Sequence, residues 1–190
     1  MELEIMSFLP PILIPTYNRS VVVVPAPGEG EGHWAGAPSA ALGEDGPIYL
    51  AYRLRRPVGE GRGFANVVAQ SMDGEHFTTV ATLTSEEFGA ESLERPCLVR
   101  LHDGRWRLYV SAATPGTKHW RIDAVDASTP AEFVASNRRI VFPGDRAYGV
   151  KDPVMQFWGG VWHGWICFHP RNATMMRIAW RHATQRVTMG

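Results

Sequence analysis

Arg95-Pro96-Cys97-Leu98-Val99-Arg100-Leu101 runs into the turn His102-Asp103-Gly104 and continues as Trp106-Arg107-Leu108-Tyr109-Val110. It reads as two antiparallel strands joined tightly. The proline opens the first strand, where a missing N–H is tolerated. Asp-Gly supplies the positive φ of a tight hairpin. The aromatic and branched residues after the turn suit a strand buried on both faces. The same unit occurs twice more. Upstream it is Ala37-Pro38-Ser39-Ala40-Ala41-Leu42, Glu44-Asp45-Gly46 and Ile48-Tyr49-Leu50-Ala51-Tyr52. Downstream it is Asp152-Pro153-Val154-Met155-Gln156-Phe157, Trp158-Gly159-Gly160 and Trp162-His163-Gly164-Trp165-Ile166. The prolines recur at a spacing of 58 and then 57 residues, and the turn glycine follows its proline by eight, eight and seven.

A third strand follows each unit, at Phe64–Gln70, Trp120–Val125 and Met176–Trp180. A fourth follows the first two, at Thr79–Leu83 and Ile140–Phe142. Almost nothing reads as helix. Four strands in roughly 50 to 60 residues make a propeller blade, so the sequence predicts an all-β chain of about two and a half to three four-stranded blades. The predicted blades are 33–84, 91–143 and an incomplete 148–190. Residues 1–32 are read as N-terminal strands, Ile12–Ile14 and Val21–Val24, and a Gly/Pro/Glu linker. Gly28, Gly30 and Gly32 precede no helix, which rules out a phosphate-binding loop. Closed propellers have about four to eight blades. On this reading the chain is a truncated piece of a larger ring, a homo-oligomer completing the propeller, or a chain whose N-terminal strands supply part of a blade.

The bulk properties exclude several function classes. Lys plus Arg and Asp plus Glu both number 19, for a formal net charge of zero. That argues against a nucleic-acid partner. No apolar run approaches the ~20 residues of a membrane helix. Glu2 and Glu4 precede the apolar stretch at Met6–Ile14, where an export signal carries positive charge, so a cytoplasmic location is expected. Cys97 and Cys167 read as buried reduced thiols, and the seven His show no metal-ligand spacing.

Four stretches in common register carry a resemblance: Gly36-Ala37-Pro38-Ser39, Leu93-Glu94-Arg95-Pro96-Cys97-Leu98, Lys151-Asp152-Pro153-Val154-Met155 and Ser71-Met72-Asp73-Gly74. Together they resemble the five-bladed β-propeller of glycoside hydrolase family 43 and its arabinanase, levansucrase and invertase relatives. The resemblance implies a sugar pocket at the axial funnel, lined by residues just before each strand proline. It implies carbohydrate as the ligand and hydrolysis of O-glycosidic bonds as the reaction. No cofactor is implied, and a cation on the axis stays open.

Glycoside cleavage places two carboxyl groups across the scissile bond. Asp152 matches the family's third-blade aspartate, which adjusts the acid's pKa and holds the sugar. Glu94 is the second candidate catalytic carboxylate, and the adjacent Arg95 would favour its ionised form and a binding role. Otherwise Glu94 and Arg95 form an ion pair bracing neighbouring blades. Ala37 stands where the family's first-blade base would be, and the general acid would belong to a later blade. His33, Trp34, Arg95, Lys151 and Trp120 are the candidate sugar contacts, a Trp face being a platform for a sugar's C–H surface. Trp106, Trp162 and Trp165 are expected in the core. The alternative function is a non-catalytic propeller that binds sugar or protein, or a fragment lacking the catalytic acid.

Overall fold

The computed structural model of the chain describes residues 20–117 and 119–170, together with the backbone of 179–186. The stretch Ile12–Ile14 and the start of the expected strand at Met176 lie outside these residues. Among the described residues, three antiparallel sheets account for the regular structure, apart from two single-turn 3-10 helices at Pro130–Glu132 and Ala135–Asn137.

The first sheet is the meander β1 (Trp34–Leu42), β2 (Ile48–Arg55), β3 (Gly63–Ser71) and β4 (Thr78–Thr84). The second is β5 (Leu93–Arg100), β6 (Trp106–Ala113), β7 (Trp120–Ala127) and β8 (Arg139–Phe142). The third is β9 (Tyr148–Trp158), β10 (Val161–Pro170) and β11 (Ala179–Arg186). The first strands of the sheets are neighbours in space, β1 beside β5 and β5 beside β9. This is the arrangement of successive blades around an axis. Val21–Val24 forms no strand. Val22 is exposed, and Val24 instead packs against the face of the first sheet that carries Tyr52, Val67 and Ala69. Pro25 and Pro27 follow it at once and, lacking N–H groups, keep any ladder from running past Val24.

Sheet packs on sheet through apolar faces. Leu83, Phe88, Leu93, Leu98, Leu108 and Val125 are buried between the first and second sheets. Each such side chain contributes about 1.5–3 kcal/mol on leaving water. Ile122, Val150 and Ile166 join the second sheet to the third. Trp106 belongs to the buried core, edge-on to Tyr49 at 4.9 Å between ring centroids. Trp162 and Trp165 do not. Both are only half-buried, on opposite faces of the third sheet. Trp162 packs with Phe157 and His102, while Trp165 stacks with Trp158 and His163. Cys97 and Cys167 are free and buried, and burial pushes both thiols up from their ordinary range.

The three prolines mark one backbone irregularity. Pairing slips by one residue between Gly36 and Ser39, between Leu93 and Pro96, and between Lys151 and Val154. A proline cannot donate to the ladder, so a bulge is a natural place for it. Within each slip lies the residue before the proline: Ala37, Arg95 and Asp152. Ala37 and Asp152 both have φ of 53°. That left-handed conformation strains a Cβ-bearing residue and is best tolerated by Gly, Asn and Asp. Ala37→Asn is therefore expected to raise the unfolding free energy by about 0.5 kcal/mol. A denaturant titration reads this directly, and a lowered midpoint would refute strain at this bulge.

Candidate functional site

The bulges gather polar groups at one end of the inner strands. Hydroxyl and amide bridges lock them across the sheets. Leu98 N–H donates to Ser39 Oγ at 3.0 Å. Asp152 N–H donates to Ser111 Oγ at 2.9 Å, and that hydroxyl donates to the Arg95 carbonyl at 3.3 Å. Asn66 Nδ2 donates to the Glu94 carbonyl at 3.1 Å. The backbone around Arg95 and Asp152 is thus fixed by side chains from β3 and β6.

The charges are arranged upon this frame. Glu94 does pair with an arginine between blades, but the partner is Arg53 of β2, not the adjacent Arg95. Arg53 is 6% exposed as a side chain, and burial pulls its guanidinium below the ordinary range while Glu94 opposes the shift. Its Cζ stands 4.4 Å from the Trp34 ring centroid, and Arg55 is 5.7 Å from the same ring. Both are cation–π distances. On the third sheet, Lys151 Nζ lies 3.5 Å from Asp152 Oδ2 and 5.3 Å from the Trp120 ring. His169 of β10 joins this group. Burial and Lys151 push its imidazole below the usual range, against the pull of Asp152 and Glu94, and its Nε2 has no partner.

The structure therefore forms two neighbouring groups, Trp34 with Arg53 and Glu94 and Lys151 with Asp152 and Trp120, with Asp152 near enough to act on Arg53, while Arg95 enters through its backbone carbonyl. His33 precedes β1 with its ring packed on Gly28, where an added Cβ would come within 2.8 Å of it. Sequence reasoning missed Arg53, Arg55, Asn66, Ser111 and His169. The available signal was polar residues interrupting otherwise apolar strands, as in Leu50-Ala51-Tyr52-Arg53-Leu54-Arg55 and Tyr109-Val110-Ser111-Ala112. A separate groove of about 610 Å³ opens between the outer parts of the second and third sheets. Tyr109, Phe142, Met155 and Trp162 line it, and none of the mouth residues does. Among the described residues no group of three or more His, Cys, Asp or Glu is placed to hold a metal ion, and no helix is long and apolar enough to cross a membrane.

At the level of sequence, no protein-family model and no curated protein matches the chain. Solved structures do resemble it. A GH43_1 enzyme from Xanthomonas citri, complexed with xylotriose, superposes with a TM-score of 0.55 at 17% identity, over 70% of this chain and 39% of that one. The chain has the fold of a partial family 43 propeller. An exo-1,5-alpha-L-arabinanase from a bovine ruminal metagenomic library gives a TM-score of 0.57 at 16% identity, over 77% of this chain and 52% of the enzyme. A xylan beta-1,4-xylosidase from Bacillus halodurans C-125 gives 0.59 at 15% identity, over 80% of this chain and 28% of the enzyme. The chain thus spans from about a quarter to about half of the length of these family 43-type propellers. Its sheets of four, four and three strands are successive blades of that fold.

Proposed function

We propose that this chain is a glycoside hydrolase-like propeller segment that takes carbohydrate at the mouth formed by β1, β5 and β9. The observation that carries the reading is the repeated bulge. It sets Ala37, Arg95 and Asp152 at equivalent places just before the strand prolines, on the fold of family 43 propellers. Asp152 and Arg95 would hold sugar hydroxyls, and Trp34 and Trp120 would offer ring faces to the C–H surface. Glycoside cleavage needs two carboxyl groups flanking one bond. In these blades Ala37 carries no proton-transfer group, and Glu94 is engaged by Arg53. Sugar binding is therefore the part of the activity that these residues support. Hydrolysis would draw its acid from a further blade.

Isothermal titration with xylo- and arabino-oligosaccharides tests the reading. Binding should occur and weaken about tenfold in Trp34→Ala or Asp152→Asn, the loss of one good contact. Saccharide affinity that neither change alters would overturn it. Release of the aglycone from aryl glycosides, abolished by Asp152→Asn, would establish hydrolysis as well.

A second copy of the chain is the partner this reading adds. The third sheet's outward face carries a stack of Trp158 on His163, with centroids 3.6 Å apart and planes 7° apart, continued by Trp165. Trp158 is 53% exposed. An aromatic patch of this kind marks a surface that another sheet covers. Sedimentation of wild type and Trp158→Glu distinguishes a dimer held there from a monomer.

A further inference from the structure

The groove between the outer parts of the second and third sheets shares no residue with the mouth. It follows from how the second sheet ends. Its outer strand β8 is four residues long and pairs with β7 over Ile122–Ala124. The inter-sheet core of Ile122, Val150 and Ile166 therefore thins outward into the partly buried Tyr109, Phe142 and Met155. On β10, Gly164 stands between Trp162 and Ile166 on one face of the strand and brings no side chain to the floor. The space left is about 610 Å³. Small-molecule sites occupy about 300–1,000 Å³ and combine apolar and aromatic walls with a few convergent polar groups.

The walls of this groove have that composition. Tyr109, Phe142 and Trp162 offer ring faces and edges, and the Met155 thioether offers a polarisable contact, all suited to a flat aromatic guest. The polar side is cationic. Arg107 and Arg139 both line the groove, and none of the described lining residues is Asp or Glu. One carboxylate, Asp126, serves both arginines. Arg107 binds both of its oxygens, through Nε at 2.5 Å and Nη2 at 2.7 Å, and turns Nη1 to the Tyr109 hydroxyl at 3.5 Å. Arg139 Nη2 stays 3.6 Å from an oxygen that Arg107 already holds. That is too long for a hydrogen bond. Among the described residues no other carboxylate lies within ion-pair distance of either arginine. Residues 171–190, which include β11 beside β10, contain no Asp or Glu. One positive charge is thus left over, on an Arg139 side chain that is 52% exposed. A guanidinium presents a planar fork of donors matched to the two oxygens of a carboxylate. We infer that the groove is a second ligand site, which takes a small aromatic carboxylate with its ring among Tyr109, Phe142 and Trp162 and its carboxylate on Arg139. The site stands whether or not the mouth binds carbohydrate.

The experiment is calorimetric titration of the purified chain at low salt with naphthoate, the neutral naphthalenemethanol, and acetate. Naphthoate should bind at least about tenfold more tightly than either of the others, as expected when a ring contact and a charge-assisted contact act together. Its advantage over the alcohol should fall as salt is raised and disappear in Arg139→Gln. The affinity of both ring probes should drop about tenfold in Trp162→Ala. Thermal melts verify that each variant is folded. Arg139→Gln changes an exposed side chain, so it decides the matter even if Trp162→Ala does not fold. Trp34→Ala at the mouth and Trp158→Ala on the opposite face of the third sheet should leave naphthoate affinity unchanged. Naphthoate that fails to bind, or binds no more tightly than the alcohol or acetate, overturns the inference. So does an advantage over the alcohol that survives in Arg139→Gln. Affinity lost in Trp34→Ala or Trp158→Ala but kept in folded Trp162→Ala places the ligand elsewhere and overturns the assignment to this groove.

Discussion

Asp123→Ala is expected to lower the unfolding free energy by about 3–5 kcal/mol, the loss typical when one member of a buried ion pair is removed. Asp123 on β7 is completely buried. Arg121 Nε approaches it at 3.1 Å and Arg138 Nε at 3.7 Å, and Arg121 also donates to the Phe88 carbonyl at 3.0 Å. The cluster ties the second sheet to the segment that leaves the first, so its collapse would reach the main core around Phe88 and Leu93. Removing the carboxylate strands the Arg121 guanidinium, 11% exposed as a side chain, without an anion. Domains of this size hold about 5–15 kcal/mol in total, so much of the native population would be lost. Urea titration with an unchanged slope is the measurement, and a loss below about 1 kcal/mol would mean that water reaches Arg121. The pH dependence has a definite sign. Burial pushes the Asp123 carboxyl above its usual range, although both arginines pull it down. Between the unfolded and folded values the native chain therefore holds more protons, and stability from this group falls as pH rises through that window. The stability gap between wild type and Asp123→Asn should widen toward acid pH.

The fold was legible because its signals are local. A proline that cannot join a ladder, an Asp-Gly turn and an aromatic strand each state a backbone conformation, and their common spacing states the repeat. Residue contacts were less legible. Glu94 sits next to Arg95 in sequence, yet neighbours along a strand send their side chains to opposite faces. Its partner lies 41 residues earlier, on β2. Trp162 and Trp165 look alike in a strand pattern, but the pattern cannot tell which face another sheet will cover. Val21–Val24 has strand composition, yet Val24 packs on the face of the first sheet rather than pairing along an edge. Ser111 and Asn66 act through isolated side-chain hydrogen bonds to the backbone of distant strands, which leave no periodic trace.

Glu94→Ala is expected to lower the unfolding free energy by about 3 kcal/mol, near the lower end for a broken buried pair because the Glu94 side chain keeps 18% of its exposure. Arg53 would be left almost fully buried, with an Nε that already lacks an acceptor and with the Trp34 face, 4.4 Å away, as its remaining compensation. An aromatic face returns about 2 kcal/mol to a desolvated cation, short of what a buried pair loses. Glu94→Gln keeps an acceptor without the charge and should cost roughly half as much. The sign of the result decides what Glu94 does. A residue kept for binding or catalysis is commonly held against the interest of the fold, and its removal leaves stability unchanged or raised. A brace between blades is lost at the expense of stability. If Glu94→Ala melts as wild type does, Arg53 must be finding solvent or another anion, and Glu94 returns to candidacy as a carboxylate that acts on sugar. If the variant unfolds early while sugar affinity persists in its folded fraction, the ion pair joins the first blade to the second, and Asp152 is left as the carboxylate at the mouth that can meet a ligand.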